Sequence, residues 1–319
     1  MTGKEISKET YEILKKLEYG EAVTLYEMVS LPEIVEAKEN VREIIDKFIA
    51  DNPNLKDVPI KYVGTHLIDT AERVQLRDNI LQERLESGSF TSLDSNGNEV
   101  YNGSVKRGKR IDIVIGLAAA GKSTAIVNPL SQYYKSVVVD SDIIKGKLPE
   151  FNKGWGATLV HEESSAINMR MLRDELLLGN NIVLPIVGVK MSSVENYINS
   201  ATEAGYEVHL HLNELNSSKA MGRMLRRYFK DGRFIPPEIS FKNGDKPTKV
   251  YEELKNRGDL NGYSRWNNDV AKGQNLRSQR LAEITEHMLN TQIRGEQLEE
   301  RMLTEMIAEF KAKKLKQTK

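Results

Sequence analysis

The chain has 319 residues, 46 Lys plus Arg against 46 Asp plus Glu, and no Cys. Zero formal charge gives the whole chain no electrostatic pull toward nucleic acid, and the lack of Cys excludes disulfides, thiol catalysis and Cys-ligated zinc. No apolar run approaches a membrane span, and the N-terminal MTGKEISKETYEILKKLEYG has no signal-peptide core, so the expectation is a cytoplasmic protein with no membrane segment and more than one structural unit.

Residues 1–91 are predicted to be a helical N-terminal region. Leu14, Leu17, Val23, Leu25 and Met28, then Ile34, Val35, Val41, Ile44, Ile45 and Phe48, recur at helix-like spacings. Pro53 and Pro59 interrupt the pattern, and residues 68–85 resume it. Residues 92–109 read as a connector, in which Asn96-Gly97 signals a hairpin turn. Its basic cluster, Lys106, Arg107, Lys109 and Arg110, has the plainer reading of a solvated linker.

The most informative segment follows. Ile111, Ile113, Val114 and Ile115 are an apolar, β-branched run suited to a strand buried on both faces. Gly116 to Ser123, GLAAAGKS, then fits G-x-x-x-x-G-K-[ST]. Gly116 and Gly121 allow a tight turn and close approach of backbone to phosphate. The small Ala118, Ala119 and Ala120 keep that approach open. The loop amides and the N-terminus of the following helix, through Thr124, make an anion site for the nucleotide; Lys122 can reach the β- and γ-phosphates, and Ser123 can ligand Mg²⁺. ATP is the expected nucleotide and Mg²⁺ the expected metal.

Beyond this point strands and helices alternate, as a parallel sheet with crossover helices requires. Strands are predicted at 111–115, 136–140, 181–187, 206–212 and 262–267. Helices are predicted at 122–134, 161–178, 192–204 and 217–230, with a long C-terminal helical extension over 271–319. The lysine-rich end of that extension reads as a solvated tail. Asp140 and Asp142, in VVVDSDIIKGK, follow the second of these strands, and carboxyl ends of strands are where open α/β sheets bind ligands. A carboxylate there can accept a substrate hydroxyl proton or organise Mg²⁺, and Lys145 lies close in sequence. The plainer reading of Asp142 is an N-cap for a helix starting at Ile143. Arg223, Arg226 and Arg227 share a helix face and, with Gly232 as hinge and Arg233 beyond it, suit a lid that closes over phosphates. Glu163 and Ser164 are either polar substrate contacts or part of an acidic first helical turn. The Asn152–Gly156 loop carries an aromatic, Trp155, suited to a sugar or base, or is simply a solvent-exposed turn. His209 and His211 lie on one strand face and are expected to be packed or hydrogen-bonded rather than metal ligands.

The order GLAAAGKST, VVVDSDIIKGKLPEF, VHEESSAIN, NIVLPIVG, GYEVHLHLN and RRYFKDGRFIPPE resembles the zeta-toxin family of P-loop kinases over about residues 110–270. The resemblance implies an α/β, P-loop kinase-like core with a largely parallel five-stranded sheet and helices on both faces. It implies ATP, Mg²⁺ and transfer of phosphate to a hydroxyl, in the best-known case the 3′-hydroxyl of the amino sugar of UDP-N-acetylglucosamine. It matches Lys122 and Ser123 to the nucleotide site, Asp142 to the catalytic base, Arg226 or Arg227 with Arg233 to the phosphate clamp, and Glu163 to a substrate-side position. Asp140, Lys145 and Ser164 complete the candidate substrate contacts. The family also implies a small helical antitoxin, and residues 1–91 can play that part in cis. The chain departs from the pattern at the end of the third strand, where VLPIVGVK is more apolar than a sugar-nucleotide site calls for. The competing functions are a kinase for a nucleoside or an RNA end, of which the neutral charge disfavours the polynucleotide, and an ATP-binding regulatory module that transfers no phosphate.

Overall fold

The computed structural model describes residues 6–62, 70–86, 89–93 and 99–268. The expected Asn96-Gly97 turn and the expected helix over 271–319 lie outside the described residues. Contacts group the chain into two units, 1–87 with 140–174 and 217–242, and 88–139 with 175–216 and 243–319.

The second unit holds the sheet. Strands β1 (Ser89–Leu93) and β2 (Glu99–Ser104) pair antiparallel as a separate two-stranded sheet. The main sheet comprises β3 (Arg110–Ile115), β4 (Val137–Val138), β5 (Ile182–Ile186), β6 (Glu207–Glu214) and β7 (Gly262–Asn267), in the order β4-β5-β3-β6-β7. All its pairings are parallel, as the alternating pattern predicts. β3 is central and buried along its whole length. Its side chains alternate between two environments. Arg110 stacks over the ring of Tyr134 at 3.8 Å, which brings the helix Asn128–Tyr134 to the Asp112 face. On the opposite face, Tyr263 meets Tyr251 of the helix Lys246–Leu254 edge-on. Helices therefore cover both faces of the sheet.

Pro185 sits inside β5, paired with Val114. A proline cannot donate to a ladder. Val137 and Val139 donate to the carbonyls of Asn181 and Val183, so odd-numbered residues of β5 turn their backbone groups toward β4. β4 ends at Val138, and the missing N–H of Pro185 therefore points past its end. This short neighbour, two residues long against the five expected, is what lets β5 accommodate Pro185.

The first unit is helical. It contains α1 (Lys8–Glu18), α2 (Leu25–Val29), α3 (Pro32–Asp51) and α4 (Ala71–Glu86). Their ends are specified locally. Ser7 caps α1 and Thr24 forms a reciprocal capping box with Glu27 on α2. Pro32 opens α3 at a position where its missing N–H costs nothing. Numbering through the second unit's helix α5 (Asn128–Tyr134), the first unit also holds α6 (Ser141–Lys145), α7 (His161–Leu178) through Asp174, α9 (Ser217–Asp231) and most of α10 (Pro237–Asn243). α8 (Met191–Glu203) and α11 (Lys246–Leu254) belong with the sheet.

Two apolar clusters explain why segments 140–174 and 217–242 group with the N-terminal helices. In one, Leu17, Met28, Leu31 and Ile34 pack with Met221, Leu225 and Phe234. In the other, Leu55 and Ile80 pack with Ile144, Leu148, Leu159 and Ile167. α1 comes close to α9 because position 222 is glycine; a Cβ there would sit 3.1 Å from the Leu17 Cβ.

Candidate functional site

The phosphate-loop sequence forms a bound turn in the sheet unit. Gly116 has φ +153°, and a Cβ at that position would lie 2.4 Å from the backbone oxygen of Asn213. Only glycine lets β6 pass this close. Ala119 takes a left-handed conformation (φ 57°) and Gly121 another (φ 87°). The Ala120 N–H donates to Leu117 O, and Thr124 Oγ1 donates to Gly121 O. Lys122 Nζ donates to the carbonyls of Gly116 (2.7 Å) and Leu117 (2.9 Å), so its ammonium lies over the loop. The next turn, Ser123–Val127, is widened: Asn128 N–H reaches back five residues to Ser123 O. Pro129 accounts for this, since it lacks the N–H that would continue a regular α-helix. Ala118, Ala120 and Ser123 lie in the same loop, with Ala120 buried.

The acidic pair lies in the helical unit. Asp140, not Asp142, caps α6; its Oδ1 accepts from Asp142 N at 2.9 Å. The alternative reading of Asp142 as an N-cap therefore falls: the helix starts two residues earlier than Ile143, at Ser141, and Asp140 caps it. Asp142 is freed from capping and pairs with two cations, Lys145 Nζ at 3.1 Å and the Arg233 guanidinium. Burial raises the pKa of Asp142, but Arg233 and then Lys145 outweigh it and hold the carboxyl well below the usual range. Asp140 goes the other way. Burial, then the charge of Asp142, push it up to about 6. The two carboxyls thus titrate apart, which suits different roles. His161, at the start of α7, is lowered by burial and then by Lys145.

Other expected contacts are not open to a ligand. Glu163 is 1% exposed. Arg73 of α4 donates to both its oxygens (2.8 and 2.5 Å), and Arg77 adds a third bond at 2.7 Å. Arg73 also forks onto Glu150 with two bonds of 2.9 Å. Ser164 is fully buried and spends its hydroxyl on His161 O. These two positions are corrected from substrate contacts to interior ones: Glu163 because α4 supplies its cations, Ser164 because its hydroxyl closes onto its own helix. Trp155 is likewise not a platform; it packs edge-on to Tyr228 within the apolar cluster of α1 and α9. In α9, Arg226 reaches Glu18 of α1 at 2.7 Å, and Arg227 lies one residue on, half-buried. His209 and His211 are buried and stacked. His211 bridges Asp112 (2.9 Å) and Ser264 (2.6 Å), as expected of structural histidines. Among the described residues no group of three or more acidic or histidine side chains could hold a metal.

The family comparison agrees with the sequence order. Residues 99–268, more than half of the chain, match the Zeta toxin family. The chain belongs to the zeta toxin family. No curated protein matches it in sequence. Among solved structures, a chain from the PezAT chromosomal toxin–antitoxin system of Streptococcus pneumoniae is 13% identical, with a TM-score of 0.45; 68% of this chain and 96% of that one are covered. A chain of the AvrRxo1-ORF1:AvrRxo1-ORF2 complex with sulphate ions is 15% identical, with a TM-score of 0.46 and coverage of 76% and 85%. The corresponding chain with ATP is 16% identical, with a TM-score of 0.45 and coverage of 76% and 86%.

Sequence reasoning on this zeta-toxin chain missed Arg73 and Arg77, spaced i, i+4 on a helix that reads as ordinary and amphipathic. Their partner, Glu163, is 90 residues from Arg73. It also missed Asn213 and Asn268, polar residues at strand ends beside the phosphate loop.

Proposed function

We propose that this chain is an ATP-dependent phosphotransferase of zeta-toxin type that phosphorylates a hydroxyl of a small molecule, with UDP-N-acetylglucosamine the first acceptor to test. The observation that carries the reading is the phosphate loop, with Gly116 pressed against β6 and Lys122 lying over its carbonyls. In this reading Lys122 and the amides of Gly121, Lys122 and Ser123 bind the β- and γ-phosphates of ATP. Ser123 Oγ and phosphate oxygens would hold Mg²⁺, which suits an ion that takes few protein ligands beside its phosphates. When bound, it neutralises charge on those oxygens.

The acceptor oxygen bonds to the γ-phosphorus, the bond from that phosphorus to the bridging oxygen breaks, and ADP leaves. Asp142 takes the hydroxyl proton. A carboxylate gripped by Arg233 and Lys145 is a weak base, and catalysis by a base strengthens as its pKa rises toward working pH. Movement of Arg233 from Asp142 to the transferring phosphoryl group would raise the basicity of Asp142 and place a guanidinium on developing charge. Arg226 or Arg227 would add a second cation. The family implies a helical antitoxin as partner.

The test is label transfer from γ-labelled ATP, first with a metabolite extract and then with UDP-N-acetylglucosamine alone. Asp142→Asn is expected to lower transfer by about two to four orders of magnitude while leaving ATP affinity intact. ATP consumption that no hydroxyl compound stimulates, or wild-type transfer by Asp142→Asn, would sink the reading.

A further inference from the structure

Ala120 ends the run of small residues in the phosphate loop. Its side chain is buried, and its carbonyl is unusual for a loop in taking two side-chain amides. Asn213 Nδ2, at the end of β6, donates to it at 2.9 Å. Asn268 Nδ2, just beyond β7, donates to it at 2.5 Å. A carbonyl oxygen has two lone pairs, so two donors suffice to fix its direction.

That direction has a consequence one atom further on. The Ala120–Gly121 peptide is planar and trans, so its C=O and N–H point in opposite senses. Holding the Ala120 oxygen toward the two asparagines aims the Gly121 N–H the other way. This N–H opens the series Gly121, Lys122 and Ser123, whose amides must converge for the loop to hold an anion. Ala119 sits at φ 57°, which a residue with a Cβ adopts only when its surroundings impose it. The Ala120 N–H bond to Leu117 O holds the near side of this turn, and the pair of asparagine bonds to the Ala120 oxygen holds its far side.

The burial of Asn213 supports the same conclusion. Its Oδ1 is buried with no hydrogen-bond partner among the described residues. An unsatisfied buried acceptor costs stability, so an amide at this place is unfavourable except for what its other end does. The other end binds Ala120. The amide cannot be turned around, because that would set two oxygens against each other.

We infer that Asn213 and Asn268 are positioning residues for the phosphate loop, setting nucleotide affinity through the Ala120 carbonyl without touching the nucleotide. The inference rests on the ATP-binding reading above. The experiment is titration of the full-length chain with Mg²⁺ and a slowly hydrolysed ATP analogue by calorimetry, alongside thermal unfolding without nucleotide. The variants are Asn268→Ala, Asn268→Gln, Asn213→Ala and Lys122→Ala. Asn268 is the more informative of the two, being only part-buried and outside the sheet. Asn268→Ala is expected to weaken binding by roughly threefold to tenfold, the scale of one lost hydrogen bond. The unliganded midpoint should hardly move, and Asn268→Gln, which keeps an amide donor, should recover part of the affinity. In turnover assays KM for ATP should rise more than kcat falls. If Lys122→Ala loses binding but Asn268→Ala binds as wild type, the inference is overturned and the nucleotide reading stands; the same holds if Asn268→Ala lowers stability alone. If Lys122→Ala binds as wild type, the nucleotide reading itself fails.

Discussion

Glu163 offers the sharpest separation between a structural and a substrate-binding carboxylate. Consider Glu163→Ala. The substitution removes three charge-assisted bonds, two from Arg73 and one from Arg77, at a site where the carboxylate is 1% exposed. Breaking a buried pair by removing one partner costs about 3–5 kcal/mol, because the remaining charge is left in a poor solvent. Here Glu150 still forks onto Arg73 with two bonds of 2.9 Å, so the stranded guanidinium keeps half of its partners. The lower end, about 3 kcal/mol, is therefore expected. At roughly 2 °C per kcal/mol for a chain of this size, the midpoint should fall by about 6 °C. Glu163→Gln should fall less, since an amide oxygen still accepts from Arg73. The assay is thermal unfolding, paired with label transfer below the midpoint of the weakest variant. At that temperature folded Glu163→Ala should keep most of its kcat. An unchanged midpoint with transfer lowered a hundredfold would refute the structural account and return Glu163 to the substrate.

Three further outcomes follow from the geometry. Asp140, pushed up to about 6 from 3.8, favours folding when protonated; that contribution is complete below about pH 3.8 and is lost as pH rises through 6, so wild type should lose stability over pH 4–7 relative to Asp140→Asn, which can still cap α6. Parallel pH–midpoint curves for the two proteins would contradict this. Gly116→Ala would put a Cβ 2.4 Å from a backbone oxygen that cannot swing aside, so the variant should lose both thermal stability and nucleotide binding in calorimetry. Deletion of residues 1–86 should yield insoluble or molten protein by solubility and circular dichroism, because it bares Met221, Leu225, Phe234, Ile144, Leu148 and Ile167; a folded truncation with higher ATP affinity would instead establish inhibition in cis.

What the sequence discloses depends on the range of the interaction. Elements set by their own periodicity and punctuation are legible: the helix His161–Leu178 and the strand Gly262–Asn267 have the limits that the pattern predicts. So does the glycine spacing of the phosphate loop, which answers to a neighbouring strand but repeats in any chain that solves the same problem. The sequence pattern predicts no helix at α10 or α11, which are short and carry a proline at the first residue (Pro237) and the second (Pro247), where a proline-based reading expects an interruption. At a helix start proline is favourable, so the same residue carries opposite meanings at positions a few residues apart. The burial of Glu163 is illegible for a different reason. HEES reads the same whether the carboxylate meets solvent or two arginines, and those arginines come from a helix that ends some 75 residues earlier.

The helical unit therefore contains two sorts of ion pair, and the difference bears on which charged residues can act. Glu163 with Arg73 and Arg77 is buried, multiply bonded and costly to open. Arg226 with Glu18 is a single contact between side chains 38% and 28% exposed, worth about 0–1 kcal/mol. Asp142 with Arg233 and Lys145 lies between, with 36% of the Asp142 side chain exposed. A residue that changes partner during a reaction must leave its resting partner at little cost. That requirement removes Glu163 and retains Asp142, Arg233 and Arg226. The N-terminal helices brace α9 through the apolar contacts of Leu17 and Met28 with Met221 and Leu225, and the pair of Arg226 with Glu18 adds little to that packing.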